Sequence, residues 1–220
     1  ETANQFKTPL AIPLMDLMLE KTIMLKMIGI DDKEIDTYHF SKIPSDVQIK
    51  NINEKSGVFM TPRMKADIEA IKYIANETKL LPIGMTIGPF SLLTKLLSDP
   101  ITAVYLAGSG ITAEEDDEVK LLEILIDLSI NVILSYIELK IKAGAKAILV
   151  AEPAANLIFF SPKQLEEGSD VFEKYVMKYN FKIKELDDKY NVDLIFHCCG
   201  ELTNYMLKQF TLLHPVILSL

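Results

Sequence analysis

Val192-Asp193-Leu194-Ile195-Phe196-His197-Cys198-Cys199-Gly200 is the stretch on which the reading of the fold turns. An apolar run of strand length, Val192 to Phe196, passes without a break into a histidine, two cysteines and a glycine. A strand that delivers reactive residues at its carboxyl end is the habit of α/β proteins, where functional groups gather at the place the strands stop. Side chains alternate along an extended chain, so His197 and Cys199 share one face while Cys198 takes the other. Gly200 then lets the backbone turn sharply.

Working outward, a helical stretch spans Leu202 to Leu213, and Val216 to Leu220 reads as the next strand. On the amino side, Ser161-Pro162 supplies a cap, after which Phe172, Val176, Tyr179, Ile183, Leu186 and Tyr190 form a helical face. Lys146 to Ala151 is a buried strand that stops at Glu152-Pro153. Before it, Thr112 with Glu115 makes a capping box, and Leu121, Leu125, Leu128, Val132, Tyr136 and Leu139 continue as one stripe to near Gly144. Leu80 to Ile87 is a strand broken by Gly88-Pro89, with a short helix over Phe90 to Leu97. Thr61-Pro62 starts a helix that carries Ile68, Ile71 and Ile74 and runs to about Lys79.

Strand follows helix throughout, which implies parallel strands and leaves two architectures, an open doubly wound sheet or a closed eight-fold barrel. Gly84 and Gly88 do not make a dinucleotide fingerprint, and Gly108-Ser109-Gly110 has no clear strand before it. The expected fold is therefore α/β, a TIM-like (β/α)8 barrel forming one domain over residues 1–220, with 1–60 as an N-terminal segment. Gly88-Pro89, Glu152-Pro153 and His197 to Gly200 would all lie on its catalytic rim. A whole ring typically takes ~250 residues, and four strands are read here, so the barrel is expected to be incomplete in this chain. Glu1 at the start and Leu220 inside an apolar run fit trimming at either end, with the missing part C-terminal.

Composition narrows the function classes. With 23 basic and 31 acidic residues the net charge is −8, which repels phosphate backbones and anionic lipids, so neither nucleic acid nor a membrane surface is an expected partner. No uncharged apolar run reaches the ~18 residues of a membrane span, and the N-terminus lacks the order of a signal peptide. A soluble, cytoplasmic protein is expected. The 2 cysteines are adjacent, with Cα atoms ~3.8 Å apart where disulfides rarely go below ~4.4 Å. Free thiols beside His197 direct attention to metal or thiol chemistry in a reducing compartment.

Imidazole and thiolate are both good zinc ligands, although the spacing alone also fits a buried histidine beside two small thiols. A catalytic zinc normally takes three protein ligands, and no third cysteine is present. Glu152, His39 or His214 could serve, or a residue beyond Leu220. Glu152 ends an apolar strand, as a functional carboxylate on the rim or a solvated one at a loop start. His214 precedes the last strand, hence the opposite end of the barrel, and His39 reads as a surface histidine. The run Glu114 to Glu118 occupies the first turns of a capped helix, where the macrodipole favours anions. Met15, Met18, Met24 and Met27 lie in a helix-like stretch from Leu14 to Ile28 and read as core packing, or else as an adaptable partner or lid surface.

The succession Pro82-Ile83-Gly84, Gly88-Pro89-Phe90-Ser91-Leu92, Gly144-Ala145-Lys146-Ala147-Ile148, Glu152-Pro153-Ala154, Ser161-Pro162 and His197-Cys198-Cys199-Gly200 resembles the uroporphyrinogen decarboxylase superfamily, from about Thr61 to Leu220. The resemblance implies a TIM-like barrel. Within the superfamily, His197 and Cys199 match the first two zinc ligands of the methylcobamide:coenzyme M methyltransferases and related corrinoid enzymes, whose distant third cysteine has no counterpart here. The decarboxylase branch carries an arginine-rich substrate motif, and the only arginine here is Arg63. The implied activity is transfer of a methyl group from a methylated corrinoid, free or on a corrinoid protein, to a small thiol bound as thiolate at zinc, with Glu152 as a third or exchangeable ligand or as a holder of one. The alternatives of the same fold are a metal-free decarboxylase and a noncatalytic relative that binds a corrinoid or a partner protein. The oligomeric state is not legible.

Overall fold

Each apolar run read as a strand enters one parallel sheet, and each does so in chain order. The computed structural model describes residues 5–13 and 15–220. Strands β1 (Leu10–Ala11), β2 (Leu81–Ile87), β3 (Ala147–Ala151), β4 (Asp193–His197) and β5 (Ile217–Ser219) lie side by side in the order β1-β2-β3-β4-β5. Every neighbouring pair is parallel. Consecutive parallel strands joined by helical crossovers curl in one sense, and these five form a half-barrel of the TIM-like α/β type.

Helices α1 (Leu19–Met27), α2 (Asp46–Lys55) and α3 (Pro62–Glu77) separate β1 from β2, and α4 (Pro89–Leu96), α5 (Pro100–Gly108) and α6 (Asp117–Lys142) separate β2 from β3. Helix α7 (Pro162–Glu166) and a π-helical turn (Glu173–Met177) running into α8 (Lys178–Tyr190) precede β4, and α9 (Asn204–Thr211) precedes β5. No helix among the described residues is long and apolar enough to cross a membrane. Most starts follow their local chemistry: Thr61, Asp99, Ser161 and Thr203 accept backbone N–H bonds as caps, three of them ahead of a proline. The long helix differs from expectation. Glu115 accepts from Thr112 N–H at 2.9 Å, but this closes a turn that ends before the helix, and Asp116 caps it by accepting from Glu118 and Val119 N–H. The methionine-rich stretch is also shorter than read, helical only over α1, with Met24 and Met27 in the core and Met15 exposed before it. Its expected first residue, Leu14, lies outside the described residues.

Strand alternation divides the side chains into two sets. Leu10, Ile83, Ala147, Leu149 and Ile195 pack with one another on the concave face. Ile148, Val150, Leu194, Phe196 and Leu218 point the other way, into the large core under the helices. At the margin of that core, α6 is joined to the π-helical turn and α8 by carboxylate–phenol pairs: Tyr175 donates to Glu123 at 2.9 Å, Tyr179 to Asp127 at 2.8 Å, and Tyr190 to Glu138. The partners are 52 residues apart in all three pairs, so the two helices run side by side without slipping.

Among the described residues strand β1 pairs with β2 only at Leu81 and Pro82, and no strand among them neighbours the rest of that edge on this side. Buried side chains occupy the gap. Lys140 reaches from α6 past Gly84, where a Cβ would stand 3.1 Å from its Cδ, and donates to Met85 C=O. Its ammonium lies 3.3 Å from Asp67 and over the Tyr136 ring. Glu20 accepts from Thr86 Oγ1 at 2.7 Å. Burial pushes the Lys140 pKa down and the Glu20 pKa up, while each charge favours ionisation of the other.

Candidate active site

The carboxyl ends of β2, β3 and β4 meet on one rim. The β3–α7 loop holds the β4–α9 loop through four hydrogen bonds. Glu152 N–H donates to His197 C=O at 2.8 Å and Leu157 N–H to Glu201 C=O at 3.0 Å. Asn156 Nδ2 donates to Pro153 C=O at 2.6 Å and to Cys199 C=O at 3.1 Å, and the Cys198 thiol approaches Ala155 C=O at 3.5 Å. Gly200 makes the close approach possible: its φ is +100°, and a Cβ there would stand 2.6 Å from Asn156 Nδ2.

Strand parity separates the sequence-derived candidates. His197 pairs in register with Ala151 and Ser219 and continues the concave set. It is half-buried, and its Nδ1 lies 3.0 Å from Ser219 Oγ. Cys199 is exposed and Cys198 fully buried. Burial and the nearby Glu152 charge push the Cys198 thiol up to about 12, so it is not an available thiolate at neutral pH.

Glu152 follows Val150 in parity, and so belongs with Cys198 on the helix-facing side rather than with His197. It is fully buried. Ser91 N–H donates to its Oε1 at 2.5 Å and Asn180 Nδ2 to its Oε2 at 3.0 Å. Ser91 is in the first turn of α4, whose N-cap Gly88 offers no side chain, so Glu152 caps that helix from the next strand. Burial raises its pKa, and the bonds from Asn180 and Ser91 oppose the rise. Glu152 thus lies at the rim, buried rather than solvated, with its carboxylate turned to the helices while His197 takes the concave face.

The remaining histidines stay apart from this pair. His39 is exposed with Nδ1 2.9 Å from Thr37 C=O. His214 is exposed in the turn before β5, at the amino-terminal end of the strands. Among the described residues no three His, Cys, Asp or Glu side chains converge on a point that could hold a metal ion. The donor chemistry of His197 and Cys199 suits zinc, and they amount to two of the three ligands a catalytic site takes. A hollow of about 740 Å3 opens instead between α5 and α7, lined by Ser109, Gln164, Ser169 and Asp170 among others, and does not include the His197–Cys199 pair. Asn156, Ser91, Asn180 and Ser219 are the residues that sequence reading missed. Each acts across space on a partner in another segment, Ser219 through strand register and the others through the packing of α4, α8 and the β3–α7 loop at the strand ends.

Residues 4–220 match the family model described as Uroporphyrinogen decarboxylase (URO-D), which takes in most of the first sixty residues as well. The chain is 30% identical over 139 residues to the Methylcobamide:CoM methyltransferase MtbA of Methanosarcina acetivorans, covering 62% of this chain and 36% of that protein. It is 26% identical over 162 residues to the protein of the same name from Methanosarcina mazei, covering 71% of this chain and 43% of that protein. A solved methyltransferase from Methanosarcina mazei superposes with a TM-score of 0.61 at 18% identity, covering 100% of this chain and 60% of that one, a likeness of fold. The matches span less than half the length of these curated relatives. The chain belongs to the uroporphyrinogen decarboxylase family.

Proposed function

We propose that this member of the uroporphyrinogen decarboxylase family takes part in moving a methyl group from a methylated corrinoid to a small thiol such as coenzyme M, with His197 and Cys199 as two ligands of a zinc ion. The observation that carries the reading is that His197 continues the concave face at the end of β4, with Cys199 exposed two residues on and Cys198 buried behind them. The two relatives named methylcobamide:CoM methyltransferases supply the reaction class.

Zinc, when bound, would lower the pKa of an incoming thiol so that the nucleophilic thiolate is present at neutral pH. The chain's own residues orient the reactants. Asn156 fixes the backbone that carries Cys199, and Met85, Leu149 and Ile195 give the concave face an apolar floor beneath the rim. Apolar surroundings exclude water that would compete for the methyl group. Glu152 contributes by holding α4 against β3, and so shapes the rim without touching the reacting atoms. Arg63, the only arginine of the chain, is paired with Asp16, so these residues present no arginine cluster for a polycarboxylated tetrapyrrole.

The test uses the whole encoded polypeptide, loaded with zinc and mixed anaerobically with methylcobalamin or a methylated corrinoid protein and a panel of thiols. Transfer converts the methylcobalt spectrum to that of Co(I) and yields one methyl thioether per methyl group lost. Loss of carboxylates from uroporphyrinogen, with no thiol methylated, would replace this reading with the decarboxylase. No turnover in either assay would favour a binding protein of the same fold.

A further inference from the structure

A histidine that serves as a metal ligand must present an unprotonated nitrogen, and which nitrogen that is depends on what the other one touches. In a neutral imidazole one nitrogen donates and the other accepts. Nδ1 of His197 lies 3.0 Å from Oγ of Ser219. The two residues are register partners on adjacent parallel strands, and Cys198 N–H donates to Ser219 C=O at 3.0 Å, so the backbone itself holds the serine beside the ring. Ser219 shares the concave side with His197 by strand parity. Oγ of Ser219 makes no other hydrogen bond among the described residues, so it is free to meet Nδ1 as donor or acceptor, and accepting is the role that leaves Nε2 bare for a metal.

We propose that Ser219 is a positioning residue for His197: its hydroxyl oxygen accepts from Nδ1–H, which fixes the ring rotation and leaves Nε2 as the unprotonated nitrogen facing away from β5. Free imidazole in water prefers the opposite tautomer, with the proton on Nε2, so the hydroxyl has a distinct effect to exert. The role deepens the zinc reading above, because Nε2 is then the ligand atom, but the tautomer exists with or without a metal.

The experiment is nitrogen NMR of the metal-free protein with labelled histidine, at a pH where His197 is neutral, using His197→Gln to assign its signals. The wild type should show Nδ1 protonated and Nε2 bare. Ser219→Ala should move the proton to Nε2, and Ser219→Thr, which keeps the hydroxyl, should restore the wild-type pattern. A wild type already protonated at Nε2, or an unchanged pattern in Ser219→Ala, overturns the proposal. Circular dichroism checks that both variants keep the fold, and Ser219 is small and exposed, so its replacement leaves the core intact. Zinc titration of the whole encoded polypeptide separates this proposal from the reading it rests on. Ser219→Ala should weaken zinc about 10- to 100-fold. If neither wild type nor variant binds zinc while the tautomers differ as stated, the metal reading fails and the positioning role stands.

Discussion

Gly88 and the Glu152 carboxylate occupy the same small space: a Cβ built on Gly88 would stand 2.0 Å from Oε2 and 2.3 Å from Cδ of Glu152. The absence of a side chain at the end of β2 is what lets a carboxylate from the end of β3 reach the first turn of α4. Two strands and a helix are thereby tied at one buried point.

That tie separates a structural Glu152 from a catalytic one. Glu152→Ala leaves Ser91 N–H without a partner in a buried site and takes one of the two acceptors of the Asn180 amide, whose other hydrogen stays on Val176 C=O at 3.0 Å, at a cost of about 2–3 kcal/mol. Glu152→Gln keeps an acceptor for Ser91 N–H but turns an amide donor toward Asn180 Nδ2, which cannot turn over without giving up its bond to Val176 C=O. Glutamine should therefore cost about 1–2 kcal/mol, less than alanine, and zinc binding should persist. Gly88→Ala should cost about 1–3 kcal/mol by overpacking. Urea unfolding measures all three, and a Gln variant that folds normally yet loses the metal would return Glu152 to the metal site.

The buried Lys140 yields a second test. Lys140→Met removes the donor to Met85 C=O and strands the carboxylates of Asp67 and Glu20, for a loss of about 3–5 kcal/mol. Adding Glu20→Gln removes one of those stranded charges, so the double variant should be more stable than Lys140→Met alone. A double-mutant cycle from unfolding curves reads the coupling. Strictly additive costs would mean that the two side chains do not share the gap beside β2.

The adjacent thiols should behave differently despite their common sequence context. Cys199 is exposed, whereas Cys198 is buried, lies 3.5 Å from Ala155 C=O and has its pKa pushed up to about 12. Iodoacetamide at neutral pH should label one thiol per native chain, at Cys199, and two after denaturation. Peptide mapping checks the position. Equal labelling of both in the native protein would mean that the strand parity through His197 is not the one described.

Parity is also where the sequence is most informative. Strands β2, β3 and β5 lie within their expected spans and β4 runs one residue past its own, to His197; the alternation of His197, Cys198 and Cys199 follows from the strand running into them, since period-two burial is written directly in residue order. Strand β1 is invisible at that level: two residues, Leu10–Ala11, are too few to show any period. Helix α5 escapes a sequence reading although Asp99-Pro100 is a cap followed by a first-turn proline, because the run after it is apolar nearly throughout and shows no helical stripe. Glu152 reads as a rim residue in sequence because its strand ends there. Its true side depends on the register between β3 and β4, which no local pattern encodes.

Asp187 gives a prediction in which pH decides the outcome. It lies in the last turn of α8, fully buried, with neither carboxylate oxygen hydrogen-bonded among the described residues. Burial, and to a smaller degree the neighbouring Asp188, push its pKa up from 3.8 to about 8, with Lys184 opposing. A carboxylate there also meets the negative end of the helix. Because the folded pKa is the higher one, the unfolded chain releases this proton first. The contribution to stability is whole below pH 3.8 and declines as pH rises to about 8. Asp187→Asn keeps the shape and cannot ionise, so its advantage over wild type should be small at pH 4, grow through pH 5 to 8, and level off above that. A rise from 3.8 to about 8 sets the plateau on the order of 5 kcal/mol. Urea unfolding of both proteins across that range measures the difference, in which the other titrating groups cancel. An advantage that stays constant with pH, or shrinks as pH rises, would mean that Asp187 is solvated or paired rather than buried alone.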